Sequence, residues 1–89
     1  MAVISKCEET IFKILNDYSC MCAQEIQAFG RRLYKEDMSV GSISGHLRHM
    51  ADISLAAYST DEHGKKVYWL LEEGKKKARE ILRNEKTEK

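Results

Sequence analysis

The chain has 89 residues, with 15 Lys+Arg, 14 Asp+Glu and 3 His for a net charge near +1; 43% of residues are hydrophobic and 33% charged. That apolar share is too high for a disordered tail, which could not offset chain entropy by burial, and no apolar run approaches the roughly 20 residues a membrane span needs. The start, Met1 to Glu9, turns charged before a signal-peptide core could form, so a cytoplasmic protein with one domain over residues 1–89 is expected. Three cysteines are an odd number and too few for a disulfide scaffold. Near-neutral charge provides no broad basic field, so any nucleic-acid binding must come from a local patch.

Ser5 and Glu8 have capping-box spacing, and Ile11, Phe12, Leu15 and Tyr18 follow at helical intervals, which predicts a first helix over 6–17. Ser19 to Cys22 has poor helix propensity and reads as a short extended link. A second helix carries Ala23, Ile26, Phe29 and Leu33 on one side, and Lys35-Glu36-Asp37 breaks it. Ser39 is a good N-cap for a third helix, whose Ile43, Leu47 and Met50 recur at i, i+4 and i+7 and face a core. Its other positions are short or polar: Ser42, Ser44, Gly45, His46, Arg48 and His49.

From about Ser54 the period changes. Leu55 to Thr60 and Lys66 to Leu71 read as two strands, joined by Asp61-Glu62-His63-Gly64 with Gly64 able to take positive φ. Glu72 to Arg83 reads as a last helix, acidic at its start and basic later, as the helix dipole favours. Ala78, Ile81 and Leu82 form its apolar stripe, and a charged, frayed tail is expected over 84–89. The order of elements is α+β: three helices, a two-stranded β-hairpin and a C-terminal helix, the winged helix-turn-helix arrangement.

Two motifs then carry a resemblance. Residues 39–50 read S-x-x-S-I-S-x-H-L-R-x-M, and residues 64–75 read G-K-K-V-Y-W-L-L-E-E-G-K. In that order they resemble the recognition helix and the wing of small prokaryotic winged-helix repressors, such as the arsenic-repressor and multiple-antibiotic-resistance-regulator groups, over residues 7–83. The resemblance implies that the third helix enters the DNA major groove. Ser39, Val40, Gly41, Ser42, Ser44, Gly45, His46 and His49 would face the bases, Arg48 would reach a phosphate, and His63, Lys65 and Lys66 of the wing would lie on the backbone or minor groove. The chain departs from the pattern at Gly45, where a longer polar residue is common, at Ser54, where a glycine commonly precedes the first wing strand, and at Leu71, where Thr or Ser commonly caps the helix. The link from Gly30 to Ser39 is also longer than the usual tight turn.

The residue chemistry permits this role, because hydroxyls, imidazoles and guanidinium can read base edges or bind phosphate, and small residues allow close approach. Arg31, Arg32 and Lys35 are further basic candidates, while Lys75, Lys76, Lys77 and Arg79, interleaved with glutamates, read as i,i+4 helix pairs. Cys20-x-Cys22 with Cys7 could hold a soft metal or form a redox switch, although a closed zinc site needs a fourth ligand; small buried hydrophobes are the plainer reading. His46 and His49 stand at a chelating i, i+3 spacing, but their helix suits DNA contact better. No glycine elbow, phosphate loop or supported triad exists, so neither catalysis nor a cofactor is expected. The leading expectation is a sequence-specific transcription regulator that binds double-stranded DNA as a homodimer, burying Ala78, Ile81 and Leu82 with Val3 and Ile4. The rival is a protein-docking module, which should expose an apolar patch around Tyr68 and Trp69.

Overall fold

The elements run α1 (Lys6–Asp17), α2 (Ala23–Tyr34), α3 (Val40–Asp52), β1 (Ala56–Thr60), β2 (Lys66–Leu70) and α4 (Glu72–Thr87) in a computed structural model that describes residues 5–87, with side chains through Asn84. Each of the first three helices begins where its cap chemistry places it. The Ser5 hydroxyl accepts from the Glu8 amide at 3.2 Å, and the Ser39 hydroxyl accepts from the Ser42 amide at 3.1 Å. At α2 the Glu25 carboxylate accepts from the Cys22 amide at 3.0 Å. Each bond satisfies a backbone donor that the first helical turn would leave unpaired.

The helices meet on one core. Ile11, Phe12, Ile14 and Leu15 of α1 pack with Ile26, with Ile43, Leu47 and Met50 of α3, and with Ala78 and Ile81 of α4. The sheet contributes Ala56, Tyr68 and Leu70. β1 and β2 pair antiparallel in the register Ala56↔Leu70 to Thr60↔Lys66, one residue shorter at each outer end than the sequence suggested. The extended link before α2 has a role the sequence did not reveal. Met21 forms a one-residue bridge to Tyr68, its amide donating to the Tyr68 carbonyl at 3.0 Å and its carbonyl accepting from the Tyr68 amide at 2.9 Å.

Four expectations are corrected. The Gly30–Ser39 link is short, because Gly30 lies inside α2 and the helix continues to Tyr34. Lys35 then ends it in the left-handed region (φ 53), and the Glu36 amide donates to the Gly30 carbonyl at 3.0 Å. Leu33 is exposed, because the turn that carries it faces the core with Gly30 and Tyr34 instead. α4 continues through Thr87, so no break marks residue 84. Finally, Ala78 and Ile81 are buried within the protomer, where α4 lies against α1, so they form no intersubunit seam, and Leu82 is half-buried. Val3 and Ile4, named for the same seam, lie outside the described residues.

The junction between hairpin and α4 is tight. The Leu71 amide donates to the Leu55 carbonyl at 2.9 Å, and a Cβ at the buried Gly74 would overlap that same carbonyl oxygen. Just before β1, Ser54 takes φ 65, a left-handed conformation that an L-residue with a side chain adopts at a cost of about 1 kcal/mol. This is the position where a glycine was the expected residue. Ser54→Gly is therefore expected to leave stability unchanged or raise it by up to about 1 kcal/mol, since relief of strain offsets added unfolded-state entropy. Gly74→Ala is expected to lower it by about 1–3 kcal/mol. Urea unfolding of the two variants beside the parent checks both signs.

Candidate nucleic-acid interface

α3 presents four surfaces at helical spacing. Ile43, Leu47 and Met50 are wholly buried. Gly41, Gly45, Arg48, His49 and Asp52 are exposed on the opposite side. Val40, Ser44 and Ala51 turn toward the hairpin, where they line an open groove of about 650 Å3. Arg48 and Asp52 border this groove from α3, Gln24 from the start of α2, and Lys65 and Lys66 from β2 and the turn before it.

The groove thus gathers Val40, Ser44, Arg48, Lys65 and Lys66 from the residues named by the sequence, while Gly41, Gly45 and His49 stand exposed on the outer face. Ser42 and His46 belong to the far flank. The Ser42 hydroxyl lies 3.7 Å from the Cys7 thiol of α1, and His46, one turn on, is half-buried. Ser39 is exposed, but its oxygen is engaged as the cap of α3. His63 stands at the wing tip, with Nε2 3.9 Å from the Glu62 carboxylate.

The wing is held by its own turn chemistry. The Asp61 carboxylate accepts from the amides of His63 and Lys65, both at 2.9 Å, and Gly64 turns the chain at φ 82. This Asx-type turn sets the direction in which Lys65 and Lys66 leave the hairpin. The Lys66 ammonium sits 5.0 Å from the centre of the Tyr58 ring. Among the described residues, no carboxylate pairs with Arg48, Lys65 or Lys66. By contrast, Arg31 bonds Asp37 at 2.9 Å and Lys76 approaches Glu73 at 3.5 Å, so these cations serve the local surface.

Sequence reasoning missed Asp52, Gln24 and Tyr58 among the groove residues. Asp52 follows His49 by less than one turn and places the acidic group of α3 at the groove margin. Gln24 enters from the first turn of α2, and Tyr58, which the sequence placed only within a strand, is exposed. Tyr68 is buried and Trp69 half-buried, so the patch required for a docking module is not displayed there.

The cysteines are not brought together. Cys7 lies by Ser42, Cys20 is exposed and Cys22 is buried at the α2 N-cap. Among the described residues no group of three His, Cys, Asp or Glu side chains could hold a metal, so the proposed trio lacks its geometry. No helix among them is long and apolar enough to cross a membrane.

No protein-family description matches the chain, and no curated protein sequence matches it. Solved structures do match in fold. RosR of H. salinarum superposes with a TM-score of 0.79 at 17% identity, over 96% of this chain and 76% of its own. F-93 of SSV1 gives 0.72 at 15% identity, over 99% and 98% of the two chains. PadR of Bacillus subtilis, solved in complex with operator DNA, gives 0.75 at 18% identity over 84% of this chain and 46% of its own. The chain has the winged helix-turn-helix fold, as its order of elements implied.

Burial raises the Tyr68 phenol above the ordinary tyrosine pKa of 10.0; neighbouring Tyr58 adds to the shift and Arg48 opposes it. The folded state therefore keeps this proton after the unfolded chain has lost it. Stability from this group is complete below pH 10.0 and falls as pH rises through the folded value. Thermal melts above that pH are expected to show a shallower alkaline loss for Tyr68→Phe than for the parent.

Proposed function

We propose that the chain is a non-catalytic, cytoplasmic transcription regulator that binds double-stranded DNA. In this reading α3 enters the major groove and the wing lies on the flanking backbone or in the minor groove. The observation that carries it is the shared groove. The hairpin-facing side of α3 and the wing lysines open onto one groove, with Arg48, Lys65 and Lys66 lining it without carboxylate partners among the described residues. Such cations suit phosphates, which supply most of the affinity, while the Ser44 hydroxyl and the exposed His49 imidazole suit base edges. The likeness to PadR, solved on operator DNA, supports the same reading.

Two glycines strengthen it. Gly41 lies in the first turn of α3 and Gly45 in its interior, where glycine costs about 1 kcal/mol of helix stability relative to alanine. A Cβ at either would meet nothing within 4 Å. The protein thus carries a helix penalty that no internal packing requires. A partner surface that must approach the helix backbone closely accounts for it, and the wall of a DNA groove is such a surface.

The protein acts as a homodimer in this proposal. With Ala78 and Ile81 buried in each protomer, the support for pairing is the size of the contact set: three groove cations per copy are few for one domain, and two copies double them. Half-sites would then lie about 10 base pairs apart, or a multiple of that.

Selection of bound duplexes from a random-sequence pool at two salt concentrations tests the proposal. A two-fold symmetric motif is the expected result; absence of binding at low salt would refute it. For the selected duplex, with about six to eight phosphates contacted per dimer, log K is expected to fall with log salt at a slope of about −5 to −7. Combining Arg48→Ala, Lys65→Ala and Lys66→Ala should flatten that slope by about 2–3 per bound copy. Gly45→Ala should raise the melting temperature by about 4–8 °C while weakening DNA binding, a split that calorimetry and titration read separately.

A further inference from the structure

The groove between α3 and the wing has a floor of two tyrosines that the reading above does not use. Tyr58 and Tyr68 are register partners across the hairpin, with ring centroids 5.5 Å apart at an interplanar angle of 37°. Tyr68 is buried, whereas Tyr58 is 49% exposed among Arg48, Lys65 and Lys66. The Lys66 ammonium rests 5.0 Å from the Tyr58 ring centre. Tyr58 is therefore an aromatic side chain left half in solvent, against one ring and one cation, in the groove that Arg48 of α3 and Lys65 and Lys66 of the wing also line.

A phenol has a polar end that suits such a place. Its hydroxyl donates to phosphate oxygens, as tyrosines do at DNA backbones. Ring contacts with Tyr68 and Lys66 restrict its rotamers before any ligand arrives, so little side-chain entropy remains to be lost on binding. The same ring face holds the ammonium electrostatically, which keeps Lys66 within the groove.

We propose that Tyr58 is a direct DNA-backbone contact, its hydroxyl donating to a phosphate that crosses between α3 and the wing while its ring holds Lys66 for a neighbouring phosphate. This rests on the DNA-binding reading and adds to it a contact that neither α3 nor the wing tip supplies. The contact is independent of base sequence, so it fixes how the duplex sits between helix and hairpin rather than which bases are read. The competing role is purely structural, a cross-strand pair with Tyr68 that stabilises the hairpin.

Binding of a labelled random-sequence duplex to the parent chain and to Tyr58→Phe, Tyr58→Ala and Lys66→Ala, each across a salt series, separates the two. Tyr58→Phe keeps the ring, its contact with Tyr68 and its place beneath Lys66, so its fold is preserved. It is expected to bind about tenfold more weakly at every salt concentration, with an unchanged salt slope, because a hydrogen bond to a charged group is lost but no cation is. Lys66→Ala is expected to reduce the slope by about 1 per bound copy. Tyr58→Ala should show both losses, since it removes the hydroxyl and frees the ammonium. Parent-like binding by Tyr58→Phe overturns the assignment and leaves the DNA-binding reading standing. A lowered melting temperature for Tyr58→Ala with parent-like binding well below it also overturns the assignment, confining Tyr58 to the hairpin. A parent chain that fails to bind the duplex at low salt overturns both.

Discussion

Two backbone hydrogen bonds between Met21 and Tyr68 decide where the wing stands. A two-stranded hairpin alone is marginal in water, because it has too little face to bury. Here the residue between α1 and α2 serves as a third, one-residue strand. It fixes β2 to the helices at the point where the Tyr68 and Leu70 side chains enter the core. The groove follows from that attachment: its far wall is β2 and the wing turn, its near wall is α3, and the start of α2 closes one end.

The electrical character of the molecule depends on placement rather than total charge. A net charge near +1 conceals a surface in which Arg31 and Lys76 are matched by nearby acids while Arg48, Lys65 and Lys66 gather where, among the described residues, none pairs with them. Exposed pairs contribute little to stability, so the matched cations mainly neutralise the surface away from the groove. Asp52 is the exception at the groove margin, and its carboxylate limits the local positive field on that side.

Local chemistry was legible in the sequence where neighbours along the chain decide it. Ser39 with Ile43, Leu47 and Met50 specified both the start of α3 and its buried side, and Asp61 to Gly64 specified the turn. Relations between distant segments were not legible. Met21 meets a partner on β2, and no periodicity announces a bridge of one residue. The stripe of Ala78 and Ile81 was visible, but a stripe indicates only that something covers it, and here that cover is α1 of the same protomer. Tyr58 alternates as a strand residue should, yet it lies outside the core although its partner Tyr68 is buried, because β1 is the strand farther from the Met21 bridge. The site divided similarly. Positions on α3 and the wing followed from motif resemblance, while Gln24, Asp52 and Tyr58 join the groove only through the packing of separate elements.

The open space around Gly41 and Gly45 has a consequence for how such a protein can change. Ser44 and Arg48 share this outward region, and none of the four belongs to the buried core. Folding and outward contact are thus written in separate alphabets along one helix: the buried positions at 43, 47 and 50 hold the scaffold, and the exposed ones are at liberty to vary. A lineage could change what this face meets by altering a few exposed residues while the buried positions stay as they are, which matters in a domain of 89 residues with little stability to spare.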